Sequence, residues 1–347
     1  MQTGDSWPAS CFVTALASQG YRGNMHQIKL VPHNERGSQP LLRPPSMLHR
    51  HLISMHDLTP SEVDFLLKLA QEVKSNPAYY KNALEGRTLG MILEKPGLHA
   101  RVTFELAISQ LGGRALDLSL EEAGLAKGED VRDVARNLSG WVDAIVARVQ
   151  SHQTALELAE HATVPVINGL TDFEHPCQAL SDFLTLRECK GNPEKVTLAW
   201  VGDGNNVAHS LIYGAARLGA HMRIATPPGF EPDRSVMADA RREGGDVTLT
   251  NDPAEAVTGA DAIYTDVWTS LGMEHEAEAR KEVFRSYQVN SSLMRLADPQ
   301  AVFMHCQPAH RGEEVTDDVM DSPRSLAYSQ SENRLHMQKA VFLALLS

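Results

Sequence analysis

The sequence predicts an α/β protein of two doubly wound parallel-sheet domains, and three observations carry that prediction. Short apolar runs of strand character alternate with amphipathic helical stretches along most of the chain, the pattern of βα units around a parallel sheet. The alternation halts at a charged, glycine-containing linker, Arg187 to Lys195, and restarts at Val196. At 347 residues the chain exceeds a usual single domain and divides naturally into two of about 130 to 150 residues.

Composition narrows the function classes. Hydrophobic residues make up 42% and charged residues 22%, ordinary globular values that supply apolar material for two cores. The formal charge is 32 minus 44, or −12, which argues against a nucleic-acid surface yet permits a local basic pocket for a small anion. Cys11, Cys177, Cys189 and Cys306 are too few and too irregularly spaced for a disulfide framework or a CxxC metal site, so a reducing, cytoplasmic compartment is expected. No apolar run approaches the ~18 residues of a membrane span.

Residues 1–46 are proline-punctuated and read as a flexible extension. Met1 to Gly20 faintly suggests a targeting peptide, but it lacks an early basic cluster and carries Asp5, so an untargeted tail or an upstream start before Met47 is expected. Order is expected from His51. Thr59-Pro60-Ser61-Glu62 reads as an N-cap with proline at the first helical position, and Val63, Leu66, Leu67, Ala70 and Val73 form one apolar stripe behind it.

Thr88 to Leu93 reads as a buried strand, Pro96-Gly97 breaks it, and a 3.6-period pattern follows. The free N–H groups of such a helix start suit a phosphate or carboxylate, and Lys95, His99 and Arg101 add positive charge there. Arg114 to Leu118 is a second strand, Glu121 to Asp130 a polar loop and Val131 to Leu138 a helix. Ala144 to Val149 is a strand holding Arg148 near its C-terminal end, where open α/β sheets gather ligands. An arginine in so apolar a run needs an anionic partner. Leu156 to Ala162 is helical and Val164 to Asn168 the next strand. A loop then carries His175 and Gln178 to the helix Ala179 to Leu186.

Beyond the linker, Val196 to Val201 is a strand, Gly202 to Asn206 a turn, Val207 to Leu218 a helix and Met222 to Thr226 a strand. The turn lacks the third glycine of G-x-G-x-x-G, which excludes a dinucleotide site and leaves Asn205 and Asn206 as turn-makers or polar ligands. Asp246 to Thr250 and Ala262 to Asp266 are strands, the second ending in a carboxylate able to hold an ammonium. Ala301 to Cys306 closes the sheet. His305, Cys306 and His310 hint at zinc, but neighbours on a strand point to opposite faces, so no metal is expected. Glu332 to Leu346 is a C-terminal helix with Arg334 and His336 in its first turns.

Taken together, Glu94-Lys-Pro before an arginine-bearing helix start, His175-Pro-Cys-Gln178, Asp203-Gly-Asn-Asn206, Asp266-Val-Trp-Thr-Ser270, His305-Cys306 with Pro308, and Glu332-Asn-Arg-Leu-His336 resemble the ornithine carbamoyltransferases. The resemblance runs in order over residues 50–346, and the segments at Asp266 and His305 match the ornithine rather than the aspartate branch. It implies a carbamoyl-phosphate domain at 47–185, an ornithine domain at 186–323, and a C-terminal helix, 324–347, crossing back to the first domain. It also implies a homotrimer that needs no cofactor and makes citrulline from carbamoyl phosphate and L-ornithine. Carried over by position, Gly97, Leu98, His99, Ala100, Arg101, Arg148, His175, Gln178, Cys306, Gln307 and Arg334 would contact carbamoyl phosphate. Asn168, Leu170, Asn206, Asp266, Ser270 and Leu271 would hold ornithine, with Arg148, His175, Cys306 and Arg334 as the catalytic set.

The sequence departs from that pattern at the phosphate loop. The family's Ser-Thr-Arg-Thr-Arg, or Ser-Leu-Arg-Thr-Arg, is Gly97-Leu98-His99-Ala100-Arg101 here, without two hydroxyls and one permanent charge. Gln307 replaces the usual leucine, and Leu271 stands where methionine is common. Three readings follow: citrulline synthesis, transfer to a different amine, or a non-catalytic binding or assembly protein on the same fold.

Overall fold

The structure, a computed structural model, describes residues 51–94, 97–269 and 273–347. The expected extension 1–46 therefore lies outside the described residues, as do Lys95, Ser270 and Leu271. The described chain opens on a reciprocal cap. Glu62 N donates to Thr59 Oγ1 (3.2 Å) and Thr59 N to Glu62 Oε2 (2.8 Å), starting α1 (Pro60–Ser75) with its expected stripe fully buried.

The first sheet contains β1 (Thr88–Leu93), β2 (Arg114–Ser119), β3 (Ala144–Arg148) and β4 (Val166–Leu170), all parallel in the order β2-β1-β3-β4. Around it lie α2 (Leu98–Gln110), α3 (Val131–Ser139), α4 (His152–His161) and α5 (Pro176–Lys190). The second contains β5 (Thr197–Val201), β6 (His221–Ala225), β7 (Val247–Thr250), β8 (Ala262–Thr265) and β9 (Val302–His305), parallel in the order β7-β6-β5-β8-β9. Its longer helices are α6 (Asn206–Leu218), α7 (Arg234–Arg242) and α8 (Ala277–Phe284). Each sheet thus reverses its strand order once, between β1 and β3 and between β5 and β8. Ligands bind at the C-terminal ends of strands flanking such reversals, which here means Leu93 beside Arg148 and Val201 near Thr265.

The last helix, α9 (Ala327–Leu346), leaves the second sheet and packs on α1, α2 and α5 of the first half. Lys74 Nζ donates to Asn333 Oδ1 (2.8 Å), Asn333 Nδ2 donates to Thr185 Oγ1 (2.9 Å), and the Phe104 and Phe342 rings sit 6.1 Å apart. The fold class is the expected one, including the crossing helix.

Several boundaries differ for identifiable reasons. β4 spans Val166–Leu170 rather than Val164 to Asn168, because Pro165 has no N–H for the ladder and serves only as an acceptor, from Ile145 N at 2.8 Å. α5 starts earlier, at Pro176, and runs on to Lys190. Arg187, assigned to the linker by its charge, is instead held in α5 by Asp64 of α1 at 2.7 Å, and Gly191 at φ +82° ends the helix. α9 begins at Ala327 because Gln330 and Asn333 are buried by hydrogen bonding, which hides its first turns from any apolar periodicity. α7 and α8 are rich in exposed charge and were not anticipated as helices.

The two halves meet tightly where α5 crosses α6. A Cβ on Gly214 of α6 would lie 2.3 Å from Cε2 of the fully buried Phe183. Gly214→Ala is expected to lower the free energy of urea unfolding by about 1–3 kcal/mol through overpacking, although alanine is the better helix former by ~1 kcal/mol.

Candidate active site

The strand ends that flank the two reversals deliver the site. Gly97 caps α2 in extended conformation, and a Cβ there would meet Arg148 Nε at 3.2 Å, so the helix start and the end of β3 share one spot. Arg148 Nε is enclosed and has no hydrogen-bond partner in the structure. Burial and the nearby Arg334 charge pull its guanidinium down to about 10. Arg334, on α9, is itself buried, and that burial lowers its pKa against the opposing pull of Cys306 and Asp182. His175, the N-cap of α5, is held well below the usual imidazole range by burial and by both arginines. It is neutral at physiological pH, with Nδ1 enclosed and unpartnered. Gln178 gives its Nε2 to Asp182 Oδ1 at 2.8 Å, leaving its enclosed Oε1 without a partner. Three buried polar atoms without partners, Arg148 Nε, His175 Nδ1 and Gln178 Oε1, mark a place built for a polar ligand.

The second sheet supplies the facing wall. Asp266, directly after β8, accepts from Cys306 Sγ (2.9 Å) and Val267 N (2.8 Å) through Oδ1 and from Asn205 Nδ2 (2.8 Å) through Oδ2. Burial and the Asp266 carboxylate push the Cys306 thiol well above its ordinary pKa, so it is a neutral donor. Asn205 also caps α6 through Val207 N and Ala208 N, so it makes the turn and fixes Asp266 at once. Asn206 Nδ2 crosses to Thr171 O at 2.5 Å and ties the two halves at the cleft.

Other expected residues take less direct places. Leu98 is 75% exposed, so its side chain points to solvent and only its backbone N–H belongs to the helix start. Arg101 is spent on Asp117 of β2 at 2.7 Å on the surface. Ala100 is buried. His99 is partly buried, and its burial together with Arg334 and Arg148 lowers its pKa, so it adds no charge at neutral pH. Asn168 donates to Ile53 O at 2.9 Å and keeps only its buried Oδ1 free, while Leu170 closes β4. Gln307 has a left-handed φ of +56° and donates its N–H to His305 Nδ1 at 2.8 Å. Ser270 and Leu271 fall outside the described residues.

The alternation argument used against a metal fails at Cys306, because β9 stops at His305. Asp266, His305 and Cys306 present ligand atoms within 4.8 Å of one another. Protein groups already occupy them: His305 Nε2 faces Glu314 Oε1 at 3.2 Å, its Nδ1 accepts from Gln307, and the thiol bonds Asp266.

Two family models match, the carbamoyl-P binding domain of aspartate/ornithine carbamoyltransferase over residues 50–188 and its Asp/Orn binding domain over 194–345. The chain belongs to the aspartate/ornithine carbamoyltransferase family. Within that family it is 50% identical to an ornithine carbamoyltransferase of Pyrococcus abyssi over 307 residues, covering 87% of this chain and 97% of the relative. An anabolic ornithine carbamoyltransferase of Pyrococcus furiosus is 51% identical over 302 residues, 85% of this chain and 96% of the relative. Among solved structures, ornithine carbamoyltransferase from Pyrococcus furiosus superposes with a TM-score of 0.83 at 50% identity, covering 87% of this chain and 98% of that one. The Thermus thermophilus enzyme gives 0.80 at 45% identity, covering 86% and 100%.

Sequence reasoning missed Glu174, Asp182 and Tyr264. Asp182 was visible as a carboxylate inside an apolar helical run, whereas nothing around Glu174 signalled its burial. Glu174 receives Ser54 Oγ, Met55 N (3.0 Å) and Ser210 Oγ (3.0 Å), and Ser210 Oγ in turn accepts from His175 N at 2.9 Å. Burial pushes Glu174 up to about 7, against ~4.3 unfolded. Between those values the folded state binds the extra proton, so stability falls as pH rises and the cost is complete above about 7. Glu174→Gln, which has no such cost, is expected to gain on the parent by up to about 3 kcal/mol between about pH 4 and pH 8, read from urea unfolding at each pH.

Proposed function

We propose that this protein transfers the carbamoyl group of carbamoyl phosphate to the side-chain amine of L-ornithine, giving L-citrulline and phosphate. The reading rests on one observation: buried Arg334 lies close enough to Arg148 and His175 of the first half, and to Cys306 of the second, to interact electrostatically with all three, and the Cys306 thiol bonds Asp266. The helix start at Gly97 with Arg148 and Arg334 holds the phosphate. Arg148 and neutral His175 donate to the carbonyl oxygen as charge develops on it, a contribution typically worth about 3–4 kcal/mol per donor. Asp266 and Cys306 orient the amino-acid end of ornithine. The δ-amine attacks unprotonated although its free pKa is near ~10.4, and the buried arginines favour the neutral form. Phosphate departs as a stabilised anion, so positioning does much of the work.

We assign the protein to the cytoplasm and to arginine biosynthesis, with the domain division expected at 185/186 moved to the end of α5 at Lys190, since 185/186 falls inside that helix, and a separate C-terminal helix from 324. The buried free thiols Cys177 and Cys306 fit that compartment. Among the described residues no helix is long and apolar enough to cross a membrane. We further assign it a homotrimeric state. Leu98, Val102 and Leu106, at 75%, 40% and 42% exposure, line one face of α2, and Leu116 at 46% extends that patch onto the edge strand β2.

The altered loop supports a second reading, a protein that keeps the acceptor wall but grips phosphate weakly. The full chain, assayed for citrulline formation, is expected to be active with a KM for carbamoyl phosphate about 10–100-fold above that of a Gly97→Ser, His99→Arg, Ala100→Thr variant, since charged hydrogen bonds are worth about 1.5–3 kcal/mol each. An inert parent with an active triple variant supports the non-catalytic reading. Activity only with another amine supports a changed acceptor.

A further inference from the structure

We infer that Asp182 is a positioning residue that fixes which end of the Gln178 amide faces the donor, and so selects an acyl phosphate bearing N–H over one bearing a methyl. The inference rests on the carbamoyl-phosphate reading above. Asp182 is fully buried in α5 and receives three donors from three elements. Gln178 Nε2 (2.8 Å) and Gln330 Nε2 (2.9 Å) both reach Oδ1, and the Tyr264 hydroxyl reaches Oδ2 at 2.9 Å.

A carboxylate oxygen can only accept, so the amide end turned toward Oδ1 must be the NH2. Burial pushes Asp182 up to about 7; a proton taken up on Oδ2 would reverse the Tyr264 bond, so that Oδ2 donates to the phenol oxygen, and would leave Oδ1 accepting from both amides. Gln178 is 1% exposed, and its Oε1 is enclosed without a partner. Gln178 stands one helical turn after His175, so the two lie on one face of α5. A carbamoyl NH2 placed there donates to Oε1. A methyl group leaves that oxygen buried and unpaired, which is costly. The same aspartate also reaches the acceptor wall, since Tyr264 lies two residues before Asp266 and Gln330 Oε1 accepts from His305 N at 2.9 Å.

The test is calorimetric titration of the full chain with carbamoyl phosphate and with acetyl phosphate. The parent is expected to bind the carbamoyl compound about 10–100-fold more tightly. Asp182→Leu is expected to collapse that ratio to within about threefold. Asp182→Asn, whose carbonyl still accepts from Gln178, is expected to keep it. Glutamine-labelled NMR of the parent gives a measurement independent of how the leucine variant folds: the Gln178 NH2 protons are expected to be protected from exchange with and without donor. Equal affinities in the parent, an unchanged ratio in a folded Asp182→Leu, a lost ratio in Asp182→Asn, or an unprotected amide each overturn the inference alone. Absence of binding by either phosphate overturns the donor-site reading and the inference with it.

Discussion

Two mutually repelling guanidiniums, Arg334 buried and Arg148 largely enclosed, with no carboxylate bonded to either among the described residues, are the constraint on which the rest of the structure depends. Removing such a charge from water costs several kcal/mol even after relaxation, and Arg148 and Arg334 also oppose each other. That arrangement is stable only where the surrounding cores are well formed and where an anion is available to complete it. The chain meets the first condition with two parallel sheets packed against helices, and the second where the strands around each reversal end. Burial explains why the groups around it are neutral: with both arginines it lowers the His175 pKa, and with the carboxylate of Asp266 it raises that of the Cys306 thiol.

Bringing Arg334 to that cleft requires a helix from the far end of the chain. α9 is anchored by polar contacts buried against α1 and α5, Lys74 to Asn333 and Asn333 to Thr185, rather than by apolar packing alone. Such contacts are directional and fix the helix's rotation, which a purely apolar seam would not. The rotation matters because Gln330 and Arg334, one turn apart, must both face the cleft. Asn206, Asp182 and Gly214 lock the two sheets from the other side. The site is therefore set by where rigid elements cross.

How much of this was legible in the sequence follows from what each residue's role depends on. Strand and helix order was readable because parallel strands buried on both faces are continuous apolar runs, and the capped start of α1 was readable because its chemistry is local. Arg148, His175, Gln178 and Asp266 were placed by motif and by strand-end logic, and the structure puts Arg148 at the end of β3, His175 and Gln178 at the start of α5 and Asp266 directly after β8. What stayed hidden depends on distant partners. Arg187 looked like linker until Asp64 is seen across from it, and Arg101 looked like a ligand until Asp117 is seen beside it. Glu174 could not be read as a site residue because its partner Met55 lies 119 positions away, and Asp182, though it stands out as a carboxylate in an apolar run, takes its role from Gln330, 148 positions away. The strand-alternation rule misjudged Cys306 because the strand ends one residue earlier than its apolar character suggests.

The loop at Gly97 shows what can change without disturbing this frame. Its five residues contribute one buried methyl at Ala100, an exposed leucine, an imidazole that burial and two arginines keep neutral, and an arginine committed elsewhere. None of them supplies net charge to the cleft at neutral pH. The backbone geometry is nonetheless that of a helix start aimed at Arg148. On the proposed reading, donor affinity rests on the helix N-terminus, Arg148 and Arg334, which separate parts of the fold supply. On that reading, side-chain loss at the loop lowers the ceiling on affinity, while Arg148, His175 and Gln178 orient the donor. Arg148 would then serve both binding and reaction geometry, while His175 and Gln178 lie outside the loop, which is why an altered loop is compatible with an intact reaction centre.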